Sequence, residues 1–423
     1  MHSAPSPARA RGWALAAAAF AFASACSQPM TPPGQVATLD ELPRPLSAAE
    51  RNVRDASNSF AFGLFGRASA AGPGENVFLS PLSVSLSLGM VLNGAAGETQ
   101  EQMRQALGFG AADLATVQQG YRDLSALLRG LDKSTTFQIA NSIWHDRRYP
   151  FRTTFLDAGR TYFDSEVRAV DFTDTEGTKR AVNAWVSEMT NGRIPTIVDD
   201  VAEDDVMYLV NAIWFKGTWR SRFDAAQTRD AAFTTADGTT QTVRMMNQEV
   251  GADAGFRAFS DAQVEAGELA YGNGAFAMTI LLPPPGTSVD ALAASLTPAR
   301  WNAIIEGLAP RTGWFVEIPR FTLTYSRELK DDLIALGMRD VFVPSRANLA
   351  GMSERGDLYV GFVTHKAFVK VDEEGTEAAA VTNTGIRVTS MPPGFYVNRP
   401  FVFAIRERLS GTVLFVGKVA RIP

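Results

Sequence analysis

The sequence predicts an α+β fold built on antiparallel or mixed sheets, and three observations predict it. Helical spacing of apolar residues dominates up to about residue 190. Runs of aromatic and β-branched residues dominate after Met207, and regular βαβ alternation is scarce throughout.

The elements follow in order. Over 47–71, Phe60, Phe62, Leu64 and Phe65 supply the apolar contacts of a helix. Ser80-Pro81 opens a second helix, with Ser80 as N-cap, proline at the first helical position and Leu82, Leu86 and Met90 in its stripe. Gly94 to Gly97 ends it, and another helix begins over 99–107. Residues 137–144 read as a strand and 155–163 as a helix. A further helix over 178–190 is stopped by Asn191-Gly192 with Pro195 beyond. The runs 207–215, 241–246, 276–282 and 314–318 are strand-like, with short helices over 288–296, 298–308 and 326–336. Strands close the chain over 365–371, 401–406 and 413–419.

Composition excludes several classes. The chain has 423 residues, 46% hydrophobic and 20% charged, enough for a sizeable core. A net charge of −5, without blocks of like charge, offers no general attraction to nucleic acid or anionic lipid. At the N-terminus, Arg9 and Arg11 precede an apolar run over 13–25 that is short of the ~20 residues of a membrane span. With Ala23-Ser24-Ala25 before Cys26, residues 1–25 read as a secretory signal.

Cys26 is the only cysteine, so no internal disulfide and no cysteine-based metal cluster is expected. Its position resembles a bacterial lipoprotein signal, in which this cysteine is acylated and becomes the lipid anchor. The alternative is ordinary cleavage after Ala25, leaving a thiol. Residues 26–46 are polar and carry Pro29, Pro32, Pro33, Pro43 and Pro45, as a tether does. The expected location is the cell envelope or outer surface, held by lipid on Cys26, or the released extracellular or periplasmic state.

Residues 373–393 are the most informative. From Thr376, alternate positions (Thr376, Ala378, Ala380, Thr382, Thr384, Ile386, Val388) are small or apolar and uncharged, while the other set holds Glu377 and Arg387. That period of two suits a strand with one buried face. Gly375, Gly385 and Pro392-Pro393 suit an exposed loop. The segment is competent as both.

Six stretches carry a family resemblance. They are Glu373-Glu374-Gly375-Thr376-Glu377-Ala378-Ala379-Ala380, Val397-Asn398-Arg399-Pro400-Phe401-Val402-Phe403, Leu414-Phe415-Val416-Gly417-Lys418-Val419, Asn76-Val77-Phe78-Leu79-Ser80-Pro81-Leu82-Ser83, Ala184-Trp185-Val186-Ser187 with Thr190-Asn191-Gly192, and Leu209-Val210-Asn211-Ala212-Ile213-Trp214 continuing to Trp219. Taken in chain order, they resemble the serpins, over 47–423.

The resemblance implies three β-sheets, eight or nine helices and a metastable state with an exposed reactive loop. The partner it implies is a serine protease, bound as a covalent acyl complex by a monomeric inhibitor that needs no cofactor or metal and has no enzyme activity. Glu373, Gly375, Thr376, Glu377, Ala378, Ala379 and Ala380 match the family's hinge. Ser80, Ser83, Asn211 and His365 match the polar cluster beneath the central sheet, and Trp219, Arg320 and Glu373 the place where insertion begins.

Counting forward from Gly375 and back from Pro400 by the family's spacing lands on Thr389, so the cleaved bond is expected at Thr389–Ser390. A small β-branched residue suits a shallow pocket, hence an elastase-like or subtilisin-like protease. Val388 in the pocket gives the same class; Arg387 implies a trypsin-like enzyme and a loop shorter by two. An enzyme is disfavoured: there is no G-x-S-x-G, no H-E-x-x-H and no Walker-type loop. The remaining rival is a non-inhibitory serpin that binds or chaperones; the small hinge residues favour inhibition.

Overall fold

The computed structural model describes residues 1–4, 37–375 and 393–423. Cys26, Thr376 to Ala380 and the Thr389–Ser390 bond lie outside the described residues.

Among the described residues there are nine α-helices: α1 (Ala48–Ala71), α2 (Pro81–Gly94), α3 (Gly97–Ala106), α4 (Leu114–Gly130), α5 (Thr153–Phe163), α6 (Thr175–Met189), α7 (Val289–Ser295), α8 (Pro298–Gly307) and α9 (Lys330–Ala335). The strands are β1 (Val77–Leu79), β2 (Thr136–Asp146), β3 (Ser165–Val170), β4 (Met207–Lys216), β5 (Arg229–Thr234), β6 (Thr240–Val250), β7 (Arg257–Ser260), β8 (Glu265–Ala270), β9 (Phe276–Leu282), β10 (Ala309–Pro310), β11 (Trp314–Pro319), β12 (Phe321–Glu328), β13 (Thr364–Val371), β14 (Gly394–Tyr396), β15 (Phe401–Glu407) and β16 (Val413–Val419). None of the described helices is long and apolar enough to cross a membrane.

Local chemistry accounts for the helix ends. Ser47 and Glu50 form a reciprocal capping box at the start of α1, satisfying two otherwise orphan amides. α2 starts with Pro81 at its first position, but Ser80 does not cap it: the Ser80 hydroxyl donates instead to the Leu414 carbonyl at 2.9 Å. α6 exits through Asn191 (φ 49°) and Gly192 (φ 75°), the left-handed turn that its sequence allows.

The expected helix over 326–336 is shorter, because Ser326 to Glu328 extend β12 and pair in register with Lys366 to Thr364 of β13. α4 was not anticipated. Its Asp113 cap and its buried Val117, Tyr121, Leu124 and Leu128 carry a helical signal.

Hydrogen bonding sorts the strands into ladders ordered β1-β16-β15-β9-β8-β7-β10, β14-β11-β6-β5, β3-β2-β4 and β12-β13. The first two are separate sheets. The last two cover the same helix, α2: its Ser83 bonds to Asn211 of β4, and Ser80, at its N-terminus, bonds to His365 of β13. They are two parts of one layer. A large core packs α1, α2 and α4 against these sheets. A smaller apolar cluster, including Trp144, Trp185, Tyr208 and Val210, joins α6 to the opposite face of β2 and β4.

The contacts of the folded part begin before Ser47. The Leu39 amide donates to the Asn273 carbonyl, Leu46 is buried, and Arg44 grips the buried Glu50 carboxylate with two bonds of 2.6 and 2.7 Å.

Candidate functional site

The layer is split between β4 and β13. Both run toward one end, where Thr218 pairs with Gly375 and the Trp219 amide donates to the Glu374 carbonyl at 2.7 Å. No ladder joins the two strands. Over most of their length their Cα atoms stand more than 8 Å apart, against about 4.8 Å for paired strands. The backbone groups on the facing edges are not satisfied by one another, and such edges accept an added strand. Where both strands start, the seam opens into a cavity of about 510 Å³ bounded by Ser83, Leu88, Asn211 and His365.

Small polar side chains tie the strands to α2. The Ser83 hydroxyl donates to the Asn211 side-chain oxygen Oδ1, and Asn211 Nδ2 donates to Oδ1 of Asn141 on β2, with which Asn211 is in direct register. Asn141 in turn donates to the Phe163 carbonyl. His365 takes a different partner: its Nε2 accepts the Ser80 amide at 3.1 Å. Ser80, Ser83, Asn211 and His365 thus form two arms, one on each side of the seam. His365 is 5% exposed, and burial lowers its imidazole from 6.5 to about 4, so it is neutral and Nε2 is free to accept.

At the hinge end, Glu373 is buried and its Oε1 accepts from the Thr228 hydroxyl at 2.6 Å, with Arg320 Nη1 3.5 Å away. Trp219 is buried, donates its indole N–H to the Asp372 carbonyl at 2.9 Å and stacks on Tyr271 with centroids 4.4 Å apart. The Phe223 amide donates to the Glu373 carbonyl at 2.9 Å. Gly375 (φ 142°) lies so close to the backbone that a Cβ there would sit 2.0 Å from the Gly217 carbonyl oxygen. Backbone and side chain together fix residues 372–375 across the end of β4.

Sequence reasoning missed Asn141, Thr228 and Tyr271. Asn141 becomes significant only through its register with Asn211, and Thr228 only through the approach of a segment 145 residues later in the chain.

An α+β frame with a split central layer and a hinge fixed at one end defines a class of protein. The family described as "Serpin (serine protease inhibitor)" matches residues 55–422, and the chain belongs to it. It is 34% identical to bovine (Bos taurus) leukocyte elastase inhibitor over 378 residues, covering 86% of this chain and 98% of the relative. The human (Homo sapiens) leukocyte elastase inhibitor is 33% identical, with 86% and 98% covered. Iripin-1 of Ixodes ricinus is 34% identical, with 82% and 89% covered. Among solved structures, the native state of the thermophilic serpin tengpin superposes with a TM-score of 0.78 at 28% identity, covering 92% of this chain and 97% of that one. Thyroxine-binding globulin in complex with thyroxine gives 0.79 at 27% identity, covering 87% and 99%.

Proposed function

We propose that the protein is a single-use inhibitor of a serine protease with elastase-like or subtilisin-like preference, cut at Thr389–Ser390. The protease serine forms an ester with the Thr389 carbonyl carbon, and the Ser390 amine takes a proton and leaves. The freed end then enters the seam between β4 and β13, taking the acylated protease with it. From Thr376 to Thr389 the inserted strand spans roughly 46 Å. A protease drawn that far by its own serine loses the alignment of oxyanion hole and triad, and the ester persists.

The observation that carries this proposal is the β4–β13 seam, two parallel strands too far apart to pair and joined at the hinge. The small side chains of Thr376, Ala378 and Ala380 suit entry between packed neighbours, where a charge would be costly. The relatives named leukocyte elastase inhibitor support a small residue in the protease pocket. We further propose a secreted monomer, held at the envelope by lipid on Cys26, with no membrane contact beyond that anchor.

The likeness to thyroxine-binding globulin supports a second reading, a serpin that binds a ligand and does not trap a protease. Incubation with an elastase-type protease separates the two on a denaturing gel. A covalent complex is expected of the inhibitor, whereas two clean fragments with full protease activity point to the second.

A further inference from the structure

The chain enters its folded part at the hinge end of the split layer. Arg220 Nη2 donates to the Thr38 hydroxyl at 2.7 Å, and the Leu39 amide donates to the Asn273 carbonyl at 2.8 Å. Arg220 directly follows Trp219. Its amide donates to Ala270 at 2.8 Å and its Nη1 to the Gly272 carbonyl at 3.2 Å, bracketing the Tyr271 that stacks on Trp219. Thr218, on the other side of Trp219, pairs with Gly375. One cluster therefore holds both Thr38 and the residue from which 376–392 departs. The grip of Arg44 on Glu50 and the burial of Leu46 keep the arm between them docked along the body.

Cys26 is twelve residues before Thr38. Twelve steps of chain reach at most about 43 Å. A compact protease of about 230 residues is about 45 Å across. A bilayer holding Cys26 thus lies within about one protease diameter of the hinge pole.

We propose that lipid on Cys26 turns the hinge pole toward the membrane, so that the anchored inhibitor favours proteases confined to the same surface over those arriving from solution. This rests on the Cys26 anchor and the cleavage at Thr389–Ser390 proposed above. A soluble protease finds the approach over the hinge pole blocked and must dock along the membrane plane. A protease held in that plane meets the loop in the accessible orientation.

The single cysteine makes the geometry testable whether or not cells acylate it. Protein beginning at Cys26 is coupled through its thiol to maleimide-lipid vesicles. The rate at which soluble subtilisin consumes the loop, counted as complex plus cleaved protein, is compared with that of a C26S/E354C variant coupled at the other pole. Glu354 is exposed and follows Ser353, which pairs with Phe151 beyond the end of β2 where Asp146 bonds to Val206 at the start of β4.

Coupling through Cys26 is expected to slow loop consumption about 5-fold or more relative to coupling at the far pole. Inserting about 20 Gly/Ser residues after Pro33 should restore the rate to within about twofold. Equal rates from the two poles overturn the proposal. Counting complex plus fragments keeps the test independent of trapping, and mass analysis of Cys26 from cells tests acylation separately.

Discussion

The Glu373 carboxylate accepts a hydrogen bond from the Thr228 hydroxyl at 2.6 Å, across 145 residues of sequence. The Arg320 partner is 43% exposed and its ion pair with Glu373 is long, at 3.5 Å, so the buried hydroxyl bond supplies most of the restraint. Replacing Glu373 by alanine leaves Thr228 unpaired and loosens the hinge from β4. The expected cost is about 2 kcal/mol, a fall in Tm of about 3 °C. Thr228→Ala is expected to cost about half as much. A normal melting temperature in E373A removes the restraint.

Stability should fall with acid over a particular range. Burial holds the His365 imidazole near 4 in the fold, against 6.5 ordinarily. Between those values the unfolded chain takes up a proton that the folded chain refuses. The His365 contribution is therefore complete above about pH 6.5, declines as pH falls and levels off below about 4. By pH 5 it amounts to a loss of about 2 kcal/mol. Urea titrations of the protein and of His365→Asn across pH 7 to 5 check this (about the range before most carboxylates titrate). The variant should give the flatter curve; equal slopes exclude His365 as the source.

Gly375 is required by contact as well as by conformation. An alanine methyl at this φ of 142° would overlap the Gly217 carbonyl oxygen. Gly375→Ala should break the Thr218 pairing and the Trp219–Glu374 bond, costing about 2–3 kcal/mol. Denaturant unfolding reads the cost directly. A cost below about 0.5 kcal/mol would mean that the hinge end adapts freely.

Much of this arrangement was legible in the sequence where local chemistry decides the structure. The strands 276–282 and 413–419 were expected with the bounds that β9 and β16 have, because continuous apolar runs between turn residues leave little choice. β8 was not legible. Its Glu268 is buried among partners brought from elsewhere in the chain, foremost Arg406, from a strand 138 residues away, which meets it at 2.5 Å. Ser80 shows the same limit: its sequence context predicts a helix cap, but the approach of Leu414 gives its hydroxyl a different acceptor. The pairing of Asn211 with Asn141 likewise depends on strand register, which no local pattern specifies.

Charge at the hinge should convert inhibitor to substrate. Thr376→Arg places a guanidinium on the inward set of the expected alternation, where insertion would have to strip it of water. With an elastase-type protease, the unaltered protein should give a covalent band and a released peptide beginning at Ser390. T376R should give the same peptide and almost no covalent band. A full-strength covalent band from T376R contradicts insertion of that face.

Thermal unfolding of the protein before and after a single cut in 376–392 tests insertion most directly. A strand completing the ladder between β4 and β13 should raise the Tm of the nicked protein by about 10 °C or more. A nicked protein that melts at or below the temperature of the intact one contradicts the stored-strain mechanism, whatever its protease preference.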